Sequence, residues 1–104
     1  MLMLTEEMKK QCLDVVKVMK NIAHPQRLMI LCHLEEGERN VSELLEVCKV
    51  SQPQISQFLK RMTQDGLLKV RREAQFSYYS IADKQLIKLI QSMKKIYGEL
   101  GDIQ

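Results

Sequence analysis

The stretch Ser51-Gln52-Pro53-Gln54-Ile55-Ser56-Gln57-Phe58-Leu59 carries amides and hydroxyls where a solvated helix would ordinarily carry lysine and glutamate. Ile55, Phe58, Leu59 and Met62 recur at the three-and-four spacing that buries one helical face, which turns Gln52, Gln54, Ser56, Gln57 and Lys60 outward. A glutamine amide can pair with both polar atoms of an adenine edge in a major groove, and serine serves bases or phosphates. Each good bidentate pair contributes roughly 1–3 kcal/mol of discrimination. A polar surface helix without a ligand is the plain alternative. Ser51 is a strong N-cap, Pro53 falls in the first turn and Gln54 stands three residues after the cap. Such a start would aim free amide protons and the positive end of the helix dipole at phosphate.

Charge reinforces that chemistry. The net charge is only +3, but between Lys49 and Arg72 the cations Lys49, Lys60, Arg61, Lys69, Arg71 and Arg72 face a single acid, Asp65. A basic run overlapping the amide-rich helix suits a phosphate-facing surface with salt-dependent binding.

Thiol chemistry is the second candidate. Cys12, Cys32 and Cys48 are odd in number and form no paired framework, so reduced thiols are expected rather than structural disulfides. Reactivity needs a thiolate, hence a nearby positive charge and some access to solvent. Cys32 sits in an apolar segment, where it reads equally as a small core residue and as a sensor. His33 lies about 100° away around a helix and is not placed to activate it. Cys48, beside Lys49, is a minor candidate.

The elements that must position these residues follow from periodicity. Met8, Cys12, Val15, Val16, Met19 and Ile22 form a helical stripe over roughly Thr5 to Asn21. Pro25 opens a second helix that is apolar almost all round from Leu28 to Leu34, as expected for the centre of a domain, and Glu35, Glu36 and Gly37 end it. A third helix is expected with Ser42 as N-cap and Leu44, Leu45 and Val47 inward. Lys49 and Val50 link it tightly to Ser51, giving a helix-turn-helix. After Gly66 the pattern alternates over Leu67 to Arg72 and Phe76 to Ile81, separated by Glu73, Ala74 and Gln75. This is a β-hairpin or wing, with Arg71, Arg72 and Gln75 near a tip that could follow the phosphate backbone or enter a minor groove. A hairpin that merely completes the core is the alternative.

From Asp83 onward Leu86, Leu89, Ile90, Met93, Ile96, Tyr97 and Leu100 stripe a final helix with more apolar surface than a small core needs. Burying it, with the stripe of the first helix, against a second copy predicts a homodimer. Two-fold symmetry then predicts an inverted-repeat target with half-sites about one helical turn apart. At 104 residues, 45% apolar and 28% charged, the chain reads as one domain over 1–104, mainly α with one β-hairpin. No apolar run approaches the roughly 18 residues of a membrane span, and Met-Leu-Met-Leu followed by Thr5, Glu6 and Glu7 is unlike a signal peptide. A cytoplasmic location without membrane partners is expected.

The runs Ala23-His24-Pro25-Gln26-Arg27-Leu28-Met29-Ile30-Leu31, Val41-Ser42-Glu43-Leu44, Ser51 to Leu59, Asp65-Gly66-Leu67 and Tyr78-Tyr79-Ser80-Ile81 resemble, in order and spacing, the ArsR/SmtB family of winged-helix repressors. The resemblance implies a winged helix-turn-helix, dimeric through its first and last helices, on a double-stranded DNA operator that it leaves when an effector binds. Two family metal sites can be compared. One needs a Cys-x-Cys pair where this chain has Asn40 and Ser42. The other needs Asp, His, His and Glu where it has Asp83, Gln85, Ile96 and Glu99. No metal or other cofactor is therefore expected.

The segment Leu28 to Leu34 around Cys32 resembles the second-helix cysteine segment of the family's reactive-sulfur and redox sensors. Those proteins use a second cysteine on the last helix, where this chain has Gly98. The resemblance thus implies a reactive-sulfur or oxidant effector acting at Cys32, alone or with Cys12 as substitute. A regulator with no inducer response and a winged-helix module for a protein partner are the alternatives. An enzyme is not expected, since no Ser/His/Asp arrangement, phosphate-binding glycine loop or spaced metal cluster is visible. His24 and His33 read as helix residues, His24 as a cap of the second helix.

Overall fold

A computed structural model describes residues 5–98 of the chain. Helix α1 (Glu6–Ile22) starts at Thr5, whose hydroxyl accepts the Met8 amide proton at 3.0 Å, with Glu6 and Glu7 in the first turn where the dipole favours acids. Its end alone is buried, at Asn21 and Ile22. Helix α2 (Pro25–Glu35) is capped by His24, whose Nδ1 accepts the Gln26 amide proton at 3.2 Å, while Pro25 fills a first-turn position that needs no amide proton. Ile30, Leu31, Cys32 and Leu34 are all buried, so the apolar run does mark the central helix.

Strand β1 (Arg39–Asn40) and helix α3 (Val41–Val47) follow. The cap of α3 is Asn40 rather than the expected Ser42. Asn40 Oδ1 accepts from the Glu43 amide at 2.8 Å, and the Glu43 carboxylate accepts from the Asn40 amide at 2.9 Å. This reciprocal box satisfies two end amides at once, which Ser42 would not. Helix α4 (Gln52–Gln64) then begins at Ser51 and buries Ile55, Leu59 and Met62.

Gly66 turns the chain at φ +83°, a conformation that glycine adopts without steric cost, into β2 (Leu68–Glu73) and β3 (Phe76–Ile81). The register runs from Leu68 opposite Ile81 to Glu73 opposite Phe76, leaving only Ala74 and Gln75 as the connection. Glu73 thus belongs to the strand rather than the turn. The sheet has the order β1-β3-β2, all antiparallel. A hairpin alone was expected, and the two-residue β1 is too short to show any period in sequence. Helix α5 (Lys84–Tyr97) is capped by Asp83, which accepts from the Gln85 and Leu86 amides, and it ends at Gly98. Glu99, Leu100 and the opening Met-Leu-Met-Leu lie outside the described residues.

One core joins α2, α3, α4, the base of the hairpin and the buried side of α5. Two polar struts fix the helices around it. Asn21 Nδ2 donates to Lys17 O and to Asp65 Oδ2, both at 3.0 Å, tying α1 to the end of α4. Lys94 Nζ donates to Cys32 O at 2.9 Å and Glu35 Oε1 at 2.8 Å, tying α5 to α2. Most of the α1 stripe stays uncovered: Met8, Val15, Val16 and Met19 are 40%, 52%, 45% and 44% exposed.

Candidate nucleic-acid interface

The start of α4 is held as its sequence implies. The Ser51 hydroxyl accepts the Gln54 amide proton at 3.3 Å and donates to Gln54 Oε1 at 3.3 Å. With Ile55, Leu59 and Met62 inaccessible, Ser51, Gln52, Gln54, Ser56, Gln57 and Lys60 are all exposed. Six of the nine residues expected to meet DNA therefore share the outer side of one helix. Phe58 is half-buried at the flank, tilted against the His24 ring at 5.0 Å between centroids, and the Arg27 guanidinium lies 5.1 Å from its centroid. Arg27 also borders a groove with Gln57, Lys60 and Arg61. Sequence reasoning missed it because its helix reads as core.

The wing residues Arg71, Arg72 and Gln75 are exposed as well, but they differ in freedom. Arg72 and Ser77 are paired across the hairpin, and Arg72 Nη1 donates to the Ser77 hydroxyl at 2.9 Å. Arg71 points to the other face, with its guanidinium 4.7 Å from the centroid of Tyr78, its cross-strand neighbour. Glu38 accepts from it at 2.8 and 3.2 Å, and Glu73 accepts from Nη1. Hydrogen bonds to Glu38 and then Glu73 push the Arg71 guanidinium pKa above its usual value, and the same contact holds the Glu38 carboxyl below its own. The wing cation is thus already matched by acids, and no local sequence signal tied Glu38 to it. Gln75 sits in the turn beside Ala74, which adopts φ +56°.

The thiols are separated by burial. Cys12 is exposed on α1, whereas Cys32 and Cys48 are buried. Burial, and then the nearby Cys32 sulfur, push the Cys48 thiol up to about 11. The thiol environment that Cys32 shares is therefore that of Cys48 at the end of α3, rather than that of solvent-facing Cys12. Gly98, at φ +90°, closes α5 where the thiol-sensing relatives were expected to carry cysteine. Asn40 and Asp83, at the positions compared with family metal sites, both serve as helix caps. Among the described residues no three His, Cys, Asp or Glu side chains gather as a metal site.

Residues 24–70, from the cap of α2 into β2, match the model of the arsR family of bacterial regulatory proteins. The biofilm growth-associated repressor of Agrobacterium fabrum is 36% identical over 90 residues, which cover 86% of this chain and 77% of the relative. The chain belongs to the arsR family of bacterial regulatory proteins. Its fold agrees: reduced HlyU from Vibrio cholerae superposes with a TM-score of 0.83 at 33% identity, covering 89% of this chain and 98% of that one. The homodimeric winged helix-turn-helix domain of Mb0332 from Mycobacterium bovis superposes with a TM-score of 0.79 at 27% identity, covering 95% and 92%. As an arsR-family protein the chain is a winged helix-turn-helix transcriptional regulator. The second helix of the motif is α4, and β2 with β3 is the wing.

Proposed function

We propose that this regulator is a repressor that binds an inverted-repeat operator as a homodimer, with α4 of each copy in successive major grooves about 34 Å apart. The observation that carries the reading is the two-sided character of α4, where Ile55, Leu59 and Met62 are fully buried while Gln52, Gln54, Ser56 and Gln57 are all presented to solvent. Gln52, Gln54, Ser56 and Gln57 would read base edges. Ser51, Lys60, Arg71, Arg72 and Gln75 would hold the backbone or the adjacent minor groove. The exposed stripe of α1 and the exposed Ile96 and Tyr97, at 73% and 74%, supply the surface for a second copy. Among the described residues no helix is long and apolar enough to cross a membrane, and the partner proposed here is duplex DNA, which a regulator of this kind would meet in the cytoplasm.

The test is selection of bound genomic fragments followed by titration at several salt concentrations, with light scattering for the molecular mass. A dimer that shifts a palindromic fragment with steep salt dependence supports the reading. A monomer that ignores duplex DNA at low salt overturns it in favour of a protein-interaction module.

A second reading concerns release. Oxidation or persulfidation at Cys32, alone or with Cys12, would act through the Lys94 contact, because the Cys32 carbonyl is bonded directly to the helix expected to carry the dimer. Operator affinity of Cys32→Ser with and without an organic polysulfide decides this. Loss of the polysulfide response supports it, and an unchanged release removes Cys32 from the mechanism.

A further inference from the structure

The cleft between α1 and α4 holds more positive charge than the fold itself employs. Lys17, Lys20, Arg27 and Arg61 border a space of about 310 Å³ in which Asp65 is the one carboxylate. Asp65 is already engaged. It accepts from Asn21 at 3.0 Å and from Arg61 Nε at 3.2 Å, and these donors, Asn21 foremost, hold its carboxyl below the usual range. Lys17 and Lys20 end in no ion pair among the described residues. Arg27 meets no carboxylate among the described residues, and its guanidinium lies over the Phe58 ring at 5.1 Å from the centroid. Its Nη1 reaches only Asn21 Oδ1, at 3.4 Å, and its Nε is buried without an acceptor. The buried Nε, left without an acceptor, costs stability unless something with acceptor oxygens completes it.

The other wall is apolar. Leu13 and Val16 line the same cleft, and Leu13 is 71% exposed. Leu13 stands roughly 120° around the helix from Met19 and roughly 60° from Val16, so it lies just beyond the edge of the stripe assigned above to the dimer, which Val16 marks. Neither the core nor that stripe accounts for a bare leucine beside four cations.

We propose that this cleft binds a small amphipathic organic anion, its carboxylate or phosphate group held by Arg27, Arg61 and the two lysines and its apolar body lying on Leu13. The volume is at the lower end for small-molecule sites, about 300 Å³ and upward, which suits a short chain or a single ring. Arg27 and Arg61 also border the groove that contains Gln57 and Lys60. An anion in the cleft therefore withdraws positive charge from the flank of the reading helix and weakens DNA binding. That consequence rests on the operator reading above, whereas binding of the anion does not.

Calorimetric titration of the full chain with octanoate and with octyl phosphate, beside inorganic phosphate and octanol, tests both the site and its head-group preference. One of the two amphiphiles is expected to saturate one site per chain. Lys17→Ala/Lys20→Ala and Leu13→Gln, both exposed substitutions, are each expected to weaken it by about tenfold, while Gln57→Ala leaves it unchanged. Absence of saturable binding at about millimolar ligand, binding that survives both cleft variants, or equal binding of inorganic phosphate overturns the proposal. Amphiphile binding by a protein that ignores DNA would remove the operator reading and leave the site standing.

Discussion

Arg71 and Glu38 meet as a two-pronged ion pair, Nη2 to Oε1 at 2.8 Å and Nε to Oε2 at 3.2 Å, across 33 residues of chain. The pair stands over the Tyr78 ring and shares the guanidinium with Glu73. Both side chains are about half in solvent, so screening by water leaves the pair little effect on stability. Its larger effect is on the wing's charge, because Glu38 occupies the donors that a DNA phosphate would use. Glu38→Gln is expected to leave the melting temperature nearly unchanged, tighten binding to duplex DNA at low salt, and steepen the dependence of log K on log salt by about one phosphate contact. An unchanged slope by fluorescence anisotropy would show that Arg71 does not face phosphate.

The outer residues of α4 separate into two roles by chemistry. Gln57→Ala removes a potential bidentate reader and is expected to reduce the preference for operator over random DNA by about tenfold or more, with the salt slope kept. Lys60→Ala removes a point charge and is expected to weaken operator and random DNA alike, lowering the slope by about one. Competition titrations distinguish the two. Equal losses of specificity in both variants would contradict the assignment.

The start of α4 and the face it exposes were legible in the sequence because the signals are local. A cap at Ser51, a proline in the first turn and apolar residues at three-and-four spacing fix where α4 starts and which side it shows. The same local logic failed at α3, where Ser42 looked like the cap and Asn40 with Glu43 proved to be one. It failed again at β1, whose two residues are strand only because they pair with Tyr78 and Tyr79. What no local pattern carries is contact across the chain. Glu38 on Arg71, Asn21 on Asp65 and Lys94 on Cys32 each join residues more than thirty positions apart. The amphipathic cleft escaped the sequence for the same reason.

The tie between α5 and α2 is a strongly shielded one, with 11% of the Lys94 side chain and 15% of the Glu35 side chain exposed. Burial alone pulls the Lys94 ammonium pKa down, but Glu35 and Glu36 outweigh it and leave it raised. The Lys94 hydrogen bond holds Glu35 low against the opposing pull of burial, with help from Gln91. Lys94→Met leaves the Glu35 carboxylate and the Cys32 carbonyl without their donor, and is expected to cost about 2–3 kcal/mol in urea unfolding. Adding Glu35→Gln should restore much of that loss. Because the native Glu35 pKa is depressed, its contribution is present above the ordinary value of 4.5 and fades as pH falls through the lower native value. The wild type should therefore lose more stability than the double variant on acidification, and parallel acid curves would refute the tie.

Cys12 and Cys48 should report different events through the same reagent. Cys12 lies in the α1 stripe with Met8, Val15 and Met19, so it is open in the protomer and closed if that stripe forms the dimer. Its alkylation by iodoacetamide should slow as protein concentration rises through the dimer dissociation constant. Cys48 is 1% exposed and should react only through opening of the fold, independent of concentration. Up to the ordinary thiol value of 9.0 the folded and unfolded chains keep the Cys48 proton alike. Between 9.0 and about 11 the unfolded chain loses it first, so Cys48 makes stability fall as pH rises through that window. Cys48→Ala should flatten that alkaline decline, whatever it does to stability at neutral pH. A decline of the same slope in Cys48→Ala, or concentration-independent labelling of Cys12, would separate the thiols from the roles that burial and the α1 stripe assign them.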